Sequence, residues 1–201
     1  LGMAPWLCSN HRTNLHGTPL TAEISHMMWN DCYKVSRLEG YPLAWDKRDI
    51  DIATSSWKTH NFGEKWEKGS WKLRFTGAGH IPGAAMLNVE TDTHKLLFTG
   101  DFDTRDSPLV SGAKPEKCDV LFVEGTYGGR DHPSKEETTQ AFIERIVEVT
   151  ERGGTALIPA FANGRTQDIV MTLHKHLPEL EVHVDGMGTV SYTHLTLPTR
   201  Y

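Results

Sequence analysis

The chain has 201 residues, of which 38% are hydrophobic, and this is enough to bury the core of one or two domains. Its formal net charge is −5, so the field of the whole chain does not favour nucleic acid. Attraction to RNA or DNA would need local arginines or a bound metal. All apolar runs are shorter than the roughly 18–20 residues of a membrane span, so we predict no membrane partner.

The cysteines and the first residues indicate the cellular compartment. Cys8, Cys32 and Cys118 lie far apart without CxxC spacing, which predicts reduced, buried thiols in a cytoplasmic protein. The opening LGMAPWLCSN has neither an initiator methionine nor the pattern of a signal peptide. We therefore expect a chain cut from a longer protein.

A long helix is predicted near the start of the chain. Thr18 suits an N-cap, Pro19 suits the first helical position, and apolar residues follow at helical spacing. Gly40 ends this pattern. The polar segment 41–70 is predicted to form short strands and loops.

From residue 71 the pattern changes to period two. WKLRFT (71–76) alternates apolar and polar residues, which predicts a strand whose buried face includes Trp71. The segments 84–90 and 95–100 flank the turn-rich TDTH and predict a hairpin, with the second strand buried on both faces. The apolar run 118–124 predicts another strand that ends in an acid.

The second half alternates helices and strands. Ser134 and Glu137 form a capping box before an apolar stripe of helical period. A second helix is predicted to stop before Pro178, and the segments 155–160 and 180–186 are predicted as strands. This alternation favours an α/β layered fold.

Three residues that can bind metal or protons follow predicted strands. His80 lies in TGAGHIPGAA, Asp101 in FTGDFDT and Glu124 in FVEGTYG. Strand ends of layered sheets meet at one edge, where sites are usually built, and an imidazole with a carboxylate suits zinc. Taken singly, such a histidine is more often a hydrogen-bonded loop residue than a ligand, and an aspartate after Thr-Gly is often a turn former.

Five strings together resemble the β-CASP nuclease branch of the metallo-β-lactamase fold, and within it the proteins similar to the cleavage and polyadenylation specificity factor. They are GAGHIPGAA, LLFTGDFDT, VEGTYGGRDHP, GGTALIPAFANGRTQDIV and VHVDGMG. The resemblance implies an incomplete αββα layered sandwich over 1–135 and the beginning of an inserted β-CASP α/β domain over 136–188. The tail, 189–201, could be a native edge strand, but it is similar to translated adapter sequence, and we predict that it is not native.

The resemblance also implies roles for the three residues. His80 would be a zinc ligand, Asp101 would bridge two zinc ions and act in catalysis, and Glu124 would orient a histidine further along the chain. The activity implied is two-metal hydrolysis of phosphodiester bonds in single-stranded RNA during RNA processing, with two Zn²⁺ ions per complete site. Endonuclease and 5′ exonuclease action both remain open, as does the RNA sequence recognised.

The sequence lacks some motifs of that family. The main metal motif HxHxDH is absent, and His11 and His16 have the wrong spacing to replace it. Two downstream histidine motifs are absent as well. We therefore expect that the longer parent is the enzyme and that this chain alone binds metal weakly and is inactive.

Three further residues are candidates for substrate binding. They are Arg130 and His132, which follow Glu124, and Arg165, which begins the GRTQD helix. His132 could instead brace the turn before Pro133, and Arg165 could be a solvent-exposed helical residue. A homodimer or an RNA-processing complex is the expected assembly. The rival functions are a non-catalytic scaffold subunit and a hydrolase of thioesters or lactams, and the GRTQD string argues against the latter.

Overall fold

The computed structural model of the protein describes residues 2–189. The chain divides into two compact units, Leu1–Asp106 with Ser111–Glu124, and Ser107–Val110 with Gly125–Tyr201. The domain boundaries expected after residues 135 and 188 stay predictions. From residue 190 onward, the tail expected to be non-native lies outside the described residues.

The first unit contains three helices and seven strands. In chain order they are α1 (Ala4–His11), β1 (Leu15–Gly17), α2 (Pro19–Glu39), α3 (Lys47–Ser55), β2 (Trp57–Thr59), β3 (Lys65–Lys68), β4 (Trp71–Gly77), β5 (Ala85–Glu90), β6 (Lys95–Phe98) and β7 (Val120–Phe122). The second unit contains α4 (Lys135–Glu151) and α5 (Arg165–His176). No helix within residues 2–189 has the length and apolar character needed to cross a membrane. The chain is thus of the α/β class, and the expected αββα layering stays a prediction.

The strands of the first unit form two sheets. β1 and β2 pair in parallel, and a larger sheet has the order β3-β4-β5-β6-β7. Pairing is antiparallel from β3 to β6 and parallel between β6 and β7. Consequently β4, β6 and β7 run in one direction, and their carboxyl ends lie at the same edge of the sheet.

The helix predicted after Thr18 is confirmed as α2. The Thr18 hydroxyl accepts a hydrogen bond of 3.2 Å from the backbone N–H of Thr21, and Gly40 ends the helix with φ of +77°. Helices α1 to α3 enclose a core cluster of Cys8, Trp29, Trp45, Ile50 and Ala53. Burial raises the pKa of the Cys8 thiol, and a hydrogen bond with Ser56 opposes this effect.

The sequence predicts only short strands and loops over segment 41–70, and this prediction is wrong because helix α3 lies there. Asp46 caps α3 through a reciprocal capping box with Asp49, and Ile50 and Ala53 are fully buried. The helix has few apolar positions, so its polar composition concealed it. An Asp-x-x-Asp capping box was the available signal.

The strand over 71–76 and the hairpin are confirmed, although some burial predictions are wrong. Phe75 is buried, but Trp71 is 52% exposed because it begins β4 at the far end from the core. The exposed thiol of Cys32 also contradicts the prediction that all three cysteines are buried. Within residues 2–189, strand β7 pairs with β6 alone, and Leu121 and Phe122 are each 51% exposed.

In the second unit both helices are confirmed and both strands are wrong. Ser134 and Glu137 form the predicted capping box at α4. Neither 155–160 nor 180–186 joins a sheet within the described residues, because no neighbouring strand pairs with their backbone. Ala156, Ile158 and Leu180 of these segments instead pack against the helical core of Ile143, Ile146 and Leu173.

Candidate metal centre

The three candidate site residues predicted from the sequence lie at one edge of the larger sheet. His80 follows the end of β4, Asp101 follows β6 and Glu124 follows β7. Because these strands run in one direction, the three residues leave the sheet at the same edge. This arrangement follows from the topology, whatever the side chains bind.

His80 and Asp101 face each other across this edge. The imidazole Nε2 of His80 lies 3.9 Å from Oδ2 of Asp101, and their side chains are 43% and 75% exposed. Two atoms that each lie about 2.0–2.2 Å from one zinc ion are no more than about 4.4 Å apart. The pair therefore fits a shared zinc ion and is open to solvent and substrate.

Backbone contacts hold the His80 loop against the Asp101 loop. The N–H of Asp103 donates to the carbonyl of Ala78 at 2.9 Å, and the N–H of Ala113 donates to the carbonyl of Asp103 at 2.8 Å. Gly79 has φ of +68°, and a Cβ there would lie 2.3 Å from the Asp103 carbonyl oxygen. Only glycine allows this approach, so Gly79 helps to bring His80 beside Asp101.

The side chain of Asp103 is occupied within its own loop. Arg105 donates two hydrogen bonds to its carboxylate, of 3.0 and 2.9 Å. This bidentate pairing raises the pKa of Arg105. Asp103 therefore acts as a brace for the loop that carries Asp101.

Glu124 is connected to the end of β6 through Thr99. Its backbone N–H donates to the Thr99 hydroxyl at 3.3 Å, and the Thr99 N–H donates to the carbonyl of Phe122 at 3.0 Å. Glu124 is half-buried. Its backbone is therefore fixed beside the residue that begins the Thr-Gly-Asp turn.

The three candidate substrate-binding residues lie in the second unit. Arg130 and His132 are exposed, and the His132 ring lies edge-on to Tyr127 with centroids 4.6 Å apart. The backbone N–H of Arg130 donates to the backbone carbonyl of Tyr127 at 3.1 Å. Arg165 is the exposed first residue of α5.

The potential ligand set is small. Within residues 2–189, no group of three or more histidine, cysteine, aspartate or glutamate residues is placed to hold a metal ion. A structural zinc site needs four ligands and a catalytic one needs about three from the protein. At the sheet edge, the described residues offer two potential ligands, His80 and Asp101, which is fewer than either kind of site needs.

Comparison with known proteins places the chain in a family. It is 32% identical over 185 residues to the probable RNase MJ4 of Methanocaldococcus jannaschii, and the match covers 90% of this chain and 43% of that protein. It is 31% identical over 179 residues to RNase aCSPSF2 of Saccharolobus solfataricus, with coverages of 88% and 36%. Identity to the cleavage and polyadenylation specificity factor subunit 3 of Dictyostelium discoideum is 35% over 159 residues, with coverages of 78% and 20%. The chain belongs to the β-CASP family.

This β-CASP chain spans less than half the length of each of these relatives. No family model matches it. The relatives carry names of ribonucleases and of an RNA-processing factor, in agreement with the family expected from the motif strings.

Sequence reasoning missed one support of the site in this β-CASP chain. The hydroxyls of Thr18 and Thr21 both donate to the carbonyl of Gly83, at 2.9 and 3.1 Å. Gly83 ends the GHIPG turn that carries His80, so the start of α2 anchors that turn. The string TPLT predicts the start of a helix, and two threonines one turn apart carry no local signal of a contact with Gly83.

Proposed function

We propose that the chain is part of a zinc-dependent nuclease that hydrolyses phosphodiester bonds of RNA. The observation that carries the proposal is the 3.9 Å approach of His80 Nε2 to Asp101 Oδ2 at an exposed sheet edge. The ribonuclease names of the relatives support RNA as the substrate class. The proposal concerns the whole protein, since the chain covers under half of those relatives.

Zinc fits the donors that this edge provides. An imidazole nitrogen and a carboxylate oxygen are ligands that zinc accepts, and their spacing suits one ion. When bound, two zinc ions would supply a nucleophile at neutral pH and neutralise charge on the phosphoryl oxygens.

The residues of the chain would have distinct tasks. Asp101 and His80 would be zinc ligands, and Asp101 would be shared between the two ions. Glu124 would orient a histidine supplied by another part of the protein. Arg130, His132 and Arg165 are exposed and would be available to contact RNA phosphates, which is the role we propose for them.

Alone, this chain should bind zinc weakly and leave RNA intact. Within residues 2–189 no group of three candidate ligands is placed to hold a metal ion, and the sheet edge offers the pair His80 and Asp101. Two ligands seldom hold zinc against water and buffer. We expect a reducing, cytoplasmic location, because Cys8, Cys32 and Cys118 are free thiols.

A non-catalytic scaffold subunit is the second candidate function. The Dictyostelium relative is named as a subunit of a factor, which supports assembly into an RNA-processing complex, and a homodimer is the alternative assembly. The retained His80–Asp101 pair favours the enzyme, because a scaffold has no need of it.

Cleavage of labelled single-stranded RNA by the full-length parent tests the proposal. His80→Ala and Asp101→Ala should each lower the cleavage rate by about a hundredfold or more, because loss of a ligand displaces the reacting groups. His94→Ala and Asp92→Ala are matched controls in an exposed turn and should cleave normally.

Zinc titration by calorimetry provides a readout that does not depend on activity. Full-length parent should bind zinc at two sites, and Asp101→Ala should weaken both. Cleavage that survives zinc removal, or unchanged cleavage in both active-site variants, would contradict the proposed nuclease and favour the scaffold. Clear zinc-dependent cleavage by the 201-residue chain would contradict its proposed inactivity.

A further inference from the structure

One face of the first unit combines exposed cations with aromatic rings. His16 and Lys58 are register partners of the β1–β2 pair, and Lys68 and Trp71 are register partners of the β3–β4 pair. Register partners project to the same side of a sheet, and Trp66 projects to the same side as Lys68, two positions along β3. These five residues are here called the lysine–tryptophan face.

Ring contacts join the two sheets at this face. The Trp66 indole stacks on the His60 ring with centroids 3.8 Å apart, and the His16 ring lies parallel to the indole at 6.1 Å. His16 Nδ1 and His60 Nε2 form a hydrogen bond of 3.0 Å. The cations of β1, β2 and β3 therefore border one continuous surface.

The cations of this face have no anionic partners among the described residues. No carboxylate within residues 2–189 lies within ion-pair distance of Lys58 or Lys68. Both lysines and His16 are exposed, and so is Trp71 at 52%. Trp71 therefore presents an exposed aromatic ring beside Lys68, its register partner.

The opposite face of the same strands is different. Lys72 has Glu67 and Glu90 as register partners, and Arg74 forms an ion pair of 3.1 Å with Glu116. Carboxylates therefore lie among the cations of that face, although within residues 2–189 Lys65 and Lys72 form no ion pair. The positive charge of the lysine–tryptophan face is thus a local feature of one side, in a chain of net charge −5.

We propose that the lysine–tryptophan face binds single-stranded RNA, with Lys58, Lys68 and His16 on phosphates and Trp71 stacked on a base. This inference rests on the proposed action on RNA and adds a binding surface away from the metal centre. Single-stranded nucleic acid is bound by grooves that combine cations with aromatic platforms. An acidic peptide would use the lysines but would gain nothing from base stacking on Trp71.

The face lies along the strand that leads to His80. Trp71 begins β4 and Gly77 ends it, a distance of about 20 Å at about 3.3 Å per residue. His16 stands two residues before Thr18, which bonds to the carbonyl of Gly83. An RNA strand that contacts both the face and the sheet edge must therefore extend over several nucleotides.

Protonation of His16 gives the face a measurable signature. The pKa of His16 is lowered, chiefly by burial. The charges of His60, Lys68 and Lys58 lower it further. Glu64 is the acid that faces the His16–His60 pair. Its Oε1 lies 3.5 Å from Nδ1 of His60, the ring nitrogen turned away from His16. Bound phosphates would offset the lysines and raise the pKa of His16, so RNA binding near pH 6 would take up a proton.

Fluorescence anisotropy with a labelled single-stranded RNA tests the face in the absence of metal. The 201-residue chain is titrated in EDTA, so cleavage cannot contribute. The double variant Lys58→Ala/Lys68→Ala should weaken the affinity for RNA about tenfold. The slope of log K against log salt concentration should fall by about 1.4, because two phosphate contacts of about 0.7 each are lost. Lys58→Arg/Lys68→Arg should restore binding.

Lys65→Ala/Lys72→Ala is the matched control, because it removes the same charge from the opposite face. It should change affinity less than about twofold, since those lysines would make no phosphate contact. Equal losses in the two double variants would overturn the proposal. Competition by polyglutamate as strong as that by unlabelled RNA would also overturn it, in favour of an acidic peptide.

Two further variants examine the aromatic and titrating groups. Trp71→Ala should weaken RNA binding about tenfold and Trp71→Phe should largely preserve it, because a stacked ring carries the contact. His16→Gln should reduce the tightening of binding between pH 7.5 and 5.5.

The outcomes separate this inference from the proposed nuclease. If the chain fails to bind RNA while the full-length parent cleaves it, the face is wrong and the nuclease stands. If the parent fails to cleave RNA but the lysine variants lose binding selectively, the nuclease is wrong and the face stands.

Discussion

Two apolar runs of similar composition behave differently in the two units. KLLF (95–98) forms β6, which pairs with β5 and β7, and Leu97 is only 5% exposed. TALIPA (155–160) joins no sheet within the described residues, and its Leu157 is 93% exposed. Apolar β-prone residues therefore specify a strand only where neighbouring strands satisfy the backbone.

The two units also differ in how their glycines and helix caps are used. In the first unit, loops pack closely enough that a single Cβ would collide with backbone, as at Gly79. In the second unit, α4 begins with a side-chain cap and α5 does not, and Ala156 and Ile158 between them pack against the helical core. Stability should thus be more sensitive to substitution in the first unit.

Fluorescence separates the units experimentally. All six tryptophans lie in the first unit, so their emission reports its unfolding alone. Far-UV circular dichroism reports helices of both units. Comparing the two signals shows which unit a substitution affects.

The largest difference is expected between two glycines with positive φ. Gly79→Ala should cost about 4 kcal/mol, because left-handed backbone strain adds to a collision with the Asp103 carbonyl. Gly153→Ala should cost about 1 kcal/mol, since its φ is +75° but nothing lies within 4 Å of the new Cβ. Urea unfolding followed by tryptophan fluorescence should shift strongly for the first and stay unchanged for the second. Similar shifts of the fluorescence transition in both variants would contradict the expected difference between the two units.

The two leucines give the next largest difference. Leu97→Ala should lower the free energy of unfolding by about 3 kcal/mol, because it leaves a cavity among Ala78, Met86 and Ala113. Leu157→Ala should change it by less than about 0.5 kcal/mol, because the side chain is exposed. The urea midpoint of each variant measures this. A large loss at Leu157 would show that this side chain is buried in solution.

Helix caps provide an intermediate effect. Ser134→Ala removes the acceptor of the Glu137 N–H and should destabilise α4 by about 1 kcal/mol. Asp46→Ala removes the acceptor of the Arg48 N–H and should destabilise α3 by a similar amount. The first should shift circular dichroism without fluorescence, whereas the second should shift both. A fluorescence shift in Ser134→Ala would show that the units unfold together.

The smallest effect is expected from pH. Because the pKa of His16 is lowered in the folded chain, the unfolded state binds more protons just below the unfolded pKa of about 6.5. This contribution to stability is therefore present above about pH 6.5 and is lost as the pH falls through the folded pKa. His16→Gln should reduce the loss of stability between pH 7 and 5 measured by fluorescence. An unchanged pH profile would contradict the lowered pKa.

Sequence reasoning succeeded where the signals are local. The N-cap of Thr18, the capping box of Ser134 and the TDTH turn act within a few residues, and the structure has all three. The predictions from sequence are wrong where a feature depends on neighbouring segments of the fold. The helix α3, the exposure of Trp71 and the unpaired segments 155–160 and 180–186 depend on what packs beside them.

The candidate site shows the same division. The sequence by itself determined that His80, Asp101 and Glu124 follow strands, because alternation and apolar runs locate strand ends. Only the tertiary structure decided that His80 and Asp101 approach to 3.9 Å, since this depends on the closeness of Gly79 to the Asp103 backbone. The lysine–tryptophan face likewise arises from strand register and ring stacking between distant segments, which no local pattern encodes.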